Sequence, residues 1–311
     1  MPKEAVAYLD VLGFSNISVS NPERAIAVLD ELSLQLADPV QNRQYGWTAR
    51  YALSDSIFLT QPNLSMALRT LRNHVFNLVT MTCGLDPTTG DPGDPVLPRG
   101  ALAFGEVRHV ASVFLPTKTP ANLVGPAVVE AVTLEKTPGL KGPRLVVPDS
   151  VVTQLKVTEP QLVDWILRRF TPDIWEVLWP LPLDPAAFEQ DETWLRQLAT
   201  ASLRLCERYG TSKYGVHYRE FLLLIARSVQ RAIKFGRAGR LTSRLGVDAL
   251  LLPEEVRRVC EGGATLPYQF LAEVADVVPE SGVGPPRWWR VLNWAVGTCP
   301  AGARCVDRDG G

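Results

Sequence analysis

An almost uninterrupted apolar run, Ala5-Val6-Ala7-Tyr8-Leu9, opens the chain and ends in Asp10-Val11-Leu12-Gly13. A run of this kind stopped by glycine predicts a buried strand over residues 5–12. Asn21-Pro22 then supplies an N-cap and a first-turn proline, and Ala25, Val28, Leu29, Leu32 and Leu36 fall on one face of the helix that follows. Residues 47–53 and 57–60 read as two strands joined by Ser54-Asp55-Ser56, which places Asp55 at a hairpin tip. Leu64, Leu68, Leu71, Val75 and Leu78 keep the helical interval. Residues 84–98, rich in Pro, Gly and Asp, read as a solvated loop, and Asp86, Asp91 and Asp94 lack the spacing of a calcium loop.

Residues 99–107 are strand-like, with 110–115 as the expected hairpin partner. A helix is predicted over 124–136 and a short strand over 144–147. This order of elements describes an α+β fold, helices laid on a largely antiparallel sheet. Beyond residue 158 the pattern turns helical, over 162–170, 191–209, 218–235 and 253–260, with Trp165, Trp175, Trp179 and Trp194 inside or beside these runs. Two domains are expected, residues 1–157 and a mainly helical 158–311.

A net charge of −1 over 311 residues leaves no basic footprint for nucleic acid. Arg227, Arg231 and Lys234 share a helical face, with Arg237, Arg240 and Arg244 beyond, and a solvated basic face accounts for them. No apolar run reaches the roughly twenty residues of a membrane span, and the N-terminus enters a strand in place of a signal-peptide core, so a cytoplasmic protein is expected. Cys83, Cys206, Cys260, Cys299 and Cys305 are odd in number and scattered, which argues against a disulfide framework. His74, His109 and His217 show no metal-ligand spacing and are expected to be ordinary partly buried or surface histidines.

The chemistry concentrates in Asp10 and Asp55. Two carboxylates at the ends of apolar neighbouring strands repel each other and are costly to bury. A divalent cation removes both objections, and hard Mg²⁺ or Mn²⁺ is held by one or two carboxylates together with phosphate oxygens. Gly13, directly after the strand, lets the chain offer backbone N–H groups to an anion.

Four stretches, YLDVLGF, YALSDSIFL, RGALAFGEV and NLVGPAVVEAVTLEK, appear in this order within residues 5–150. Together they make the first half resemble a class III nucleotidyl cyclase catalytic domain, a ferredoxin-like α+β fold, and most of all the bacterial pyrimidine cyclases of the Pycsar anti-phage systems. The resemblance implies that Asp10 and Asp55, with the Val11 carbonyl, hold two metal ions, Mn²⁺ or Mg²⁺. It further implies that the N–H groups of Leu12, Gly13 and Phe14 cradle the triphosphate and that Arg99, which opens the RxGxxxGE strand, adds positive charge. Tyr51 stands four residues before the hairpin aspartate, where many adenylyl cyclases carry a base-reading lysine, and Asn122 stands three residues before Gly125, usually an aspartate. Both changes point from purine to pyrimidine, and Asn122 suits uracil or cytosine equally.

Val129 and Thr133 occupy the places of the usual transition-state asparagine and arginine and cannot do that work. Lys136 and Arg144 are the candidate replacements, although Lys136 also reads as a solvated helix-end cation. The expected activity is uridylate cyclase, UTP to cyclic UMP, in a homodimer whose product is read by a separate effector in anti-phage defence. Cytidylate cyclase and a catalytically silent nucleotide sensor are the alternatives.

Overall fold

The structure, a computed structural model, describes residues 2–37, 46–47, 49–53, 56–82, 96–111, 120–189, 198, 201–202, 205, 209 and 214–235. Asp55 and Ser54 lie outside the described residues, as do Asp86, Asp91, Asp94 and all five cysteines. The chain divides into two compact units, residues 1–190 and 191–311.

The first unit is built on β1 (Lys3–Val11), β2 (Ala49–Leu53), β3 (Ser56–Gln61), β4 (Pro98–Glu106), β7 (Leu145–Pro148), β8 (Leu167–Arg169) and β9 (Ile174–Val177), in the sheet order β2-β3-β1-β4-β7-β9-β8. All pairings but β4 with β7 are antiparallel. A separate ribbon pairs β5 (Arg108–Ala111) with β6 (Pro120–Val124). The helices are α1 (Phe14–Ser20), α2 (Pro22–Ala37), α3 (Leu64–Thr82), α4 (Pro126–Glu135), α5 (Asp149–Thr158) and α6 (Pro160–Ile166).

β1 sits between β3 and β4, which explains its apolar run: a strand paired on both sides with helices over it has no solvent face to alternate toward. Ala5, Ala7, Leu9 and Val11 are buried on one face. Val6 faces the other way and packs with Ala103, Val107, Ala127 and Ala131 beneath α4, with Tyr8 against the same cluster. Side chains alternate along a strand, so Asp10 follows Val6 and Tyr8 onto that face. The helix signals read from the sequence hold at α2, where the Asn21 side chain accepts from the Arg24 N–H (3.1 Å) and Pro22 takes the first position.

Two expectations are corrected. Residues 108–111 form a strand, but they pair with residues 120–124 and leave the edge of β4 to β7. The first unit also does not stop at residue 157. Beyond α5 the chain returns to the sheet as β9 beside β7, with Val146 opposite Glu176 and Leu145 opposite Val177, and Trp179 is completely buried.

In the second unit α7 (Gly215–Lys234) buries Phe221, Leu222, Leu224, Ile225 and Ala232. Arg227 turns to Glu220 (3.7 Å), and Arg231 lies over the Phe235 ring, so this part of the basic face is engaged within its own helix. Among the described residues no helix is long and apolar enough to cross a membrane.

Candidate active site

Asp10 closes the pairing of β1 with β3, opposite Ser56, and stands opposite Arg99 on β4, one position before the last pair. Ser56 Oγ donates to Asp10 Oδ1 (3.3 Å). That uses the serine hydrogen, so the Tyr8 hydroxyl, 3.1 Å away, donates to Ser56. Arg99 brings a guanidinium nitrogen within 3.6 Å of Asp10 Oδ2 and pairs through Nε with Glu135, the last residue of α4. Asp10 remains about one-fifth exposed and Glu135 is buried, at 3%. The arginine therefore balances two carboxylates, and the outer one keeps a path to solvent.

Backbone groups of alternate residues in an antiparallel ladder point to opposite neighbours. Leu12 donates its N–H to the Leu97 carbonyl (3.0 Å). Asp10 and Tyr8 likewise aim their backbone at β4, and Val11 and Leu9 aim theirs at β3. Pairing with β3 ends at Asp10 and Ser56, so the Val11 carbonyl is directed to the β3 side one residue beyond the last paired position. A carboxylate and a carbonyl are hard oxygen donors of the kind Mg²⁺ and Mn²⁺ take, so the described part of the expected donor set fits a divalent ion.

The same ladder corrects the expectation for Leu12, whose N–H is taken by Leu97 and not left for phosphate. Gly13 makes the turn out of the strand with φ 77° and ψ 6°, a left-handed conformation costly for any residue with a Cβ, and serves as N-cap of α1. Phe14 follows at the first position of the helix, where backbone N–H groups have no intrahelical acceptor.

Tyr51 lies on β2 opposite Phe58 and is 8% exposed. Its hydroxyl meets His109 Nδ1 at 2.8 Å, and His109 Nε2 lies 3.2 Å from both carboxylate oxygens of Glu4 on β1. Burial first, and the negative charge of Glu4 second, hold the Tyr51 hydroxyl above the ordinary phenol value, so it keeps its proton.

Asn122 is exposed on β6 opposite Val110, whereas His109 pairs with Leu123, which packs on the core. Residues opposite one another share a face, so Asn122, Val110 and Val124 look outward while His109 turns in to Tyr51. Asn122 thus takes no part in the Tyr51–His109 contact. Gly125 caps α4 at φ 148°, and a Cβ there would run into the Glu106 carbonyl, which fixes where the helix starts. Along α4 Val129 is exposed and Thr133 donates its hydroxyl back to the Val129 carbonyl (2.7 Å), so neither offers a side-chain donor to a substrate.

Lys136 is exposed at the C-cap of α4, one residue past Glu135. The expectation for Arg144 is corrected. Its guanidinium is buried, bound to Glu176 (2.7 Å) and to the Lys141 carbonyl (2.9 Å), and lies over the Phe170 ring. An arginine committed to a fully buried carboxylate cannot leave it without stranding that charge.

No family model matches the chain, and no curated protein does. Solved structures do. The chain is similar to the non-canonical dimeric guanylyl cyclase domain of the RhoGC fusion protein from the aquatic fungus Blastocladiella emersonii, at 16% identity over 57% of this chain and 94% of that one, with a TM-score of 0.42. It is similar to the guanylate cyclase domain of RhGC from Catenaria anguillulae in complex with GTP, at 17% identity over 57% and 96%, with a TM-score of 0.42. The adenylyl cyclase CyaB from P. aeruginosa matches at 13% identity over 56% and 93%, again with a TM-score of 0.42.

Four residues of the site have no counterpart in the sequence reading. Ser56 reads from the sequence as a turn residue and His109 as an ordinary histidine, and the sequence reading singles out neither Glu4 nor Glu135. The available signal was weak but present for Glu135: a carboxylate at a position of α4 that otherwise follows the apolar face of Ala127, Ala131 and Leu134.

Proposed function

We propose that this chain is a metal-dependent nucleotidyl cyclase of the class III kind, taking a pyrimidine triphosphate, with UTP favoured over CTP, and releasing pyrophosphate as the 3′,5′-cyclic monophosphate forms. The observation that carries the reading is the pair of oxygens at the end of β1, the partly exposed Asp10 carboxylate and the Val11 carbonyl, two strands from Tyr51. Bound divalent ions would supply Lewis-acid activation of the ribose 3′-hydroxyl and neutralise charge on the triphosphate.

The chain's own residues do the rest. Asp10, Val11 and Asp55 hold the ions. Gly13 and Phe14 offer backbone N–H groups to phosphate, and Arg99 adds positive charge beside Asp10 while Glu135 holds the guanidinium in place. Lys136 is the remaining candidate to meet charge on the phosphates. Tyr51 and Asn122 face the base. With one such domain per chain, the reading calls for a homodimer in which Tyr51 and Asn122 line sites completed by Asp10 and Asp55 of the partner subunit. Exposed Val110, Val124 and Val129 give the outward face of the ribbon and α4 the apolar character a second copy would cover.

The cyclic nucleotide would act as a second messenger read by a separate effector, as the resemblance to Pycsar cyclases implies. A silent nucleotide sensor has no need of a carboxylate held open at the strand end. Incubating the protein with each of the four ribonucleoside triphosphates and Mn²⁺, and identifying products by mass, tests the proposal. Cyclic UMP as main product is expected, cyclic CMP would change only the choice of pyrimidine, and a purine product or none would overturn it.

A further inference from the structure

Three buried or half-buried polar groups form a line across the sheet: Glu4 on β1, His109 on β5 and Tyr51 on β2. The contacts fix more than position. An ionised carboxylate only accepts hydrogen bonds, so the imidazole nitrogen facing Glu4 must be the protonated one. That nitrogen is Nε2. In the neutral ring the other nitrogen, Nδ1, then carries a lone pair and accepts from the Tyr51 hydroxyl at 2.8 Å. The single tyrosine hydrogen is thereby used, and the phenolic oxygen presents only lone pairs to whatever else approaches it.

We propose that Glu4 and His109 are positioning residues that turn Tyr51 into an obligate hydrogen-bond acceptor and so select uracil over cytosine. The inference rests on the reading of Tyr51 as a base-contacting residue. Uracil carries a hydrogen on N3, which an acceptor oxygen satisfies. Cytosine has a lone pair at N3, and two acceptors facing each other leave both unpaired in a water-poor site, which is where discrimination by a missing bond is largest. Adenine, which has a lone pair at N1, is disfavoured on the same ground. A tyrosine alone, free to donate or accept, distinguishes none of these.

The test has a structural arm and a kinetic arm. Nitrogen-15 shifts of His109, recorded in the full-length protein with the imidazole neutral, should report a protonated Nε2 and a bare Nδ1. A proton on Nδ1 overturns the proposal. In the kinetic arm the ratio of kcat/KM for UTP to that for CTP is measured for the wild type, Glu4→Gln, His109→Phe and Tyr51→Phe. Glutamine can donate or accept, which releases the tautomer, and phenylalanine keeps the ring while freeing the tyrosine hydrogen. Both changes should lower the ratio about tenfold, the worth of roughly one hydrogen bond.

Equal losses on both substrates, with the ratio unmoved, mean that His109 and Glu4 only pack, and overturn the proposal, as does a wild type that prefers CTP. If Tyr51→Phe leaves the ratio unchanged, the reading of Tyr51 itself fails. If Tyr51→Phe collapses the ratio and His109→Phe does not, that reading stands and the proposal falls.

Discussion

Arg99 stands directly across the ladder from Asp10 and shares its guanidinium between that carboxylate and the buried Glu135. Glu135 is the more deeply buried of the two and depends on the arginine for its compensation. Breaking such an arrangement from one side leaves a charge without a partner, typically at 3–5 kcal/mol. Arg99→Met should therefore destabilise the protein by about 3 kcal/mol, and adding Glu135→Gln in the same chain should recover much of the loss. Urea denaturation of the single and double variants checks this, and additive losses would show that the two residues are not coupled.

Asp10→Asn should leave the fold intact, since the amide fits the same strand end and Arg99 keeps Glu135. Cyclisation should fall by more than about a hundredfold, given that even outer partners of metal ligands cost up to that much. Circular dichroism and product mass after a timed incubation with Mn²⁺ are the measurements. Near wild-type turnover would remove Asp10 from the metal site.

Glu159, at the junction of α5 and α6, accepts from Ser65 Oγ (2.7 Å) and pairs with Arg69 (2.8 Å), both on α3. These hydrogen bonds, the serine's first, hold its carboxyl below the ordinary value. A depressed folded pKa means stability that is present above the unfolded pKa and lost as pH falls through the folded one. Both side chains are about one-third exposed, so the contribution is held to about 0.5–1 kcal/mol. Glu159→Gln should flatten the acid limb of a stability-versus-pH curve and change little above the carboxylate range.

Residues 1–190 should fold as an independent unit, and residues 1–157 should not. The shorter chain loses β9, exposes the edge of β7 and removes Trp179, whose indole N–H donates to the Pro143 carbonyl (2.7 Å) in the core. Cooperative thermal unfolding of the longer fragment and its absence in the shorter one is the expected contrast.

Val124→Glu places a charge on the outward face of the ribbon, beside Asn122. If a second copy covers this face, burying an unpaired carboxylate should weaken association by at least about tenfold. Sedimentation over a concentration series reads this directly, and mixing Asp10→Asn with Asn122→Ala chains should restore one working site per mixed dimer.

Much of the scaffold was legible because its signals are local. The apolar run before Gly13 marks β1, and Asn21-Pro22 marks the start of α2. The sequence reading missed β8 and β9 because Glu176 sits completely buried within β9, an arrangement intelligible only once Arg144, 32 residues away, and Arg168 are seen to meet its carboxylate. Burial of a charge at such a position mimics the polar face of a helix. His109 is the partly buried histidine expected, but its hydrogen-bond partners were not legible. Its partner Glu4 is 105 residues distant, and no spacing rule connects a histidine on one ribbon to a glutamate at the far end of the chain.

The two sides of the site also differ in how they are held. Asp10 is on a strand hydrogen-bonded along both edges, and the chain leaves that strand under a further bond from Leu12 to Leu97. Among the described residues, Tyr51 belongs to the edge strand of the same sheet, and the ribbon that carries His109 pairs β5 with β6 alone. On the proposed function, the metal end of the site is tied directly into the sheet, and the base end is held through the link from Tyr51 by way of His109 to Glu4.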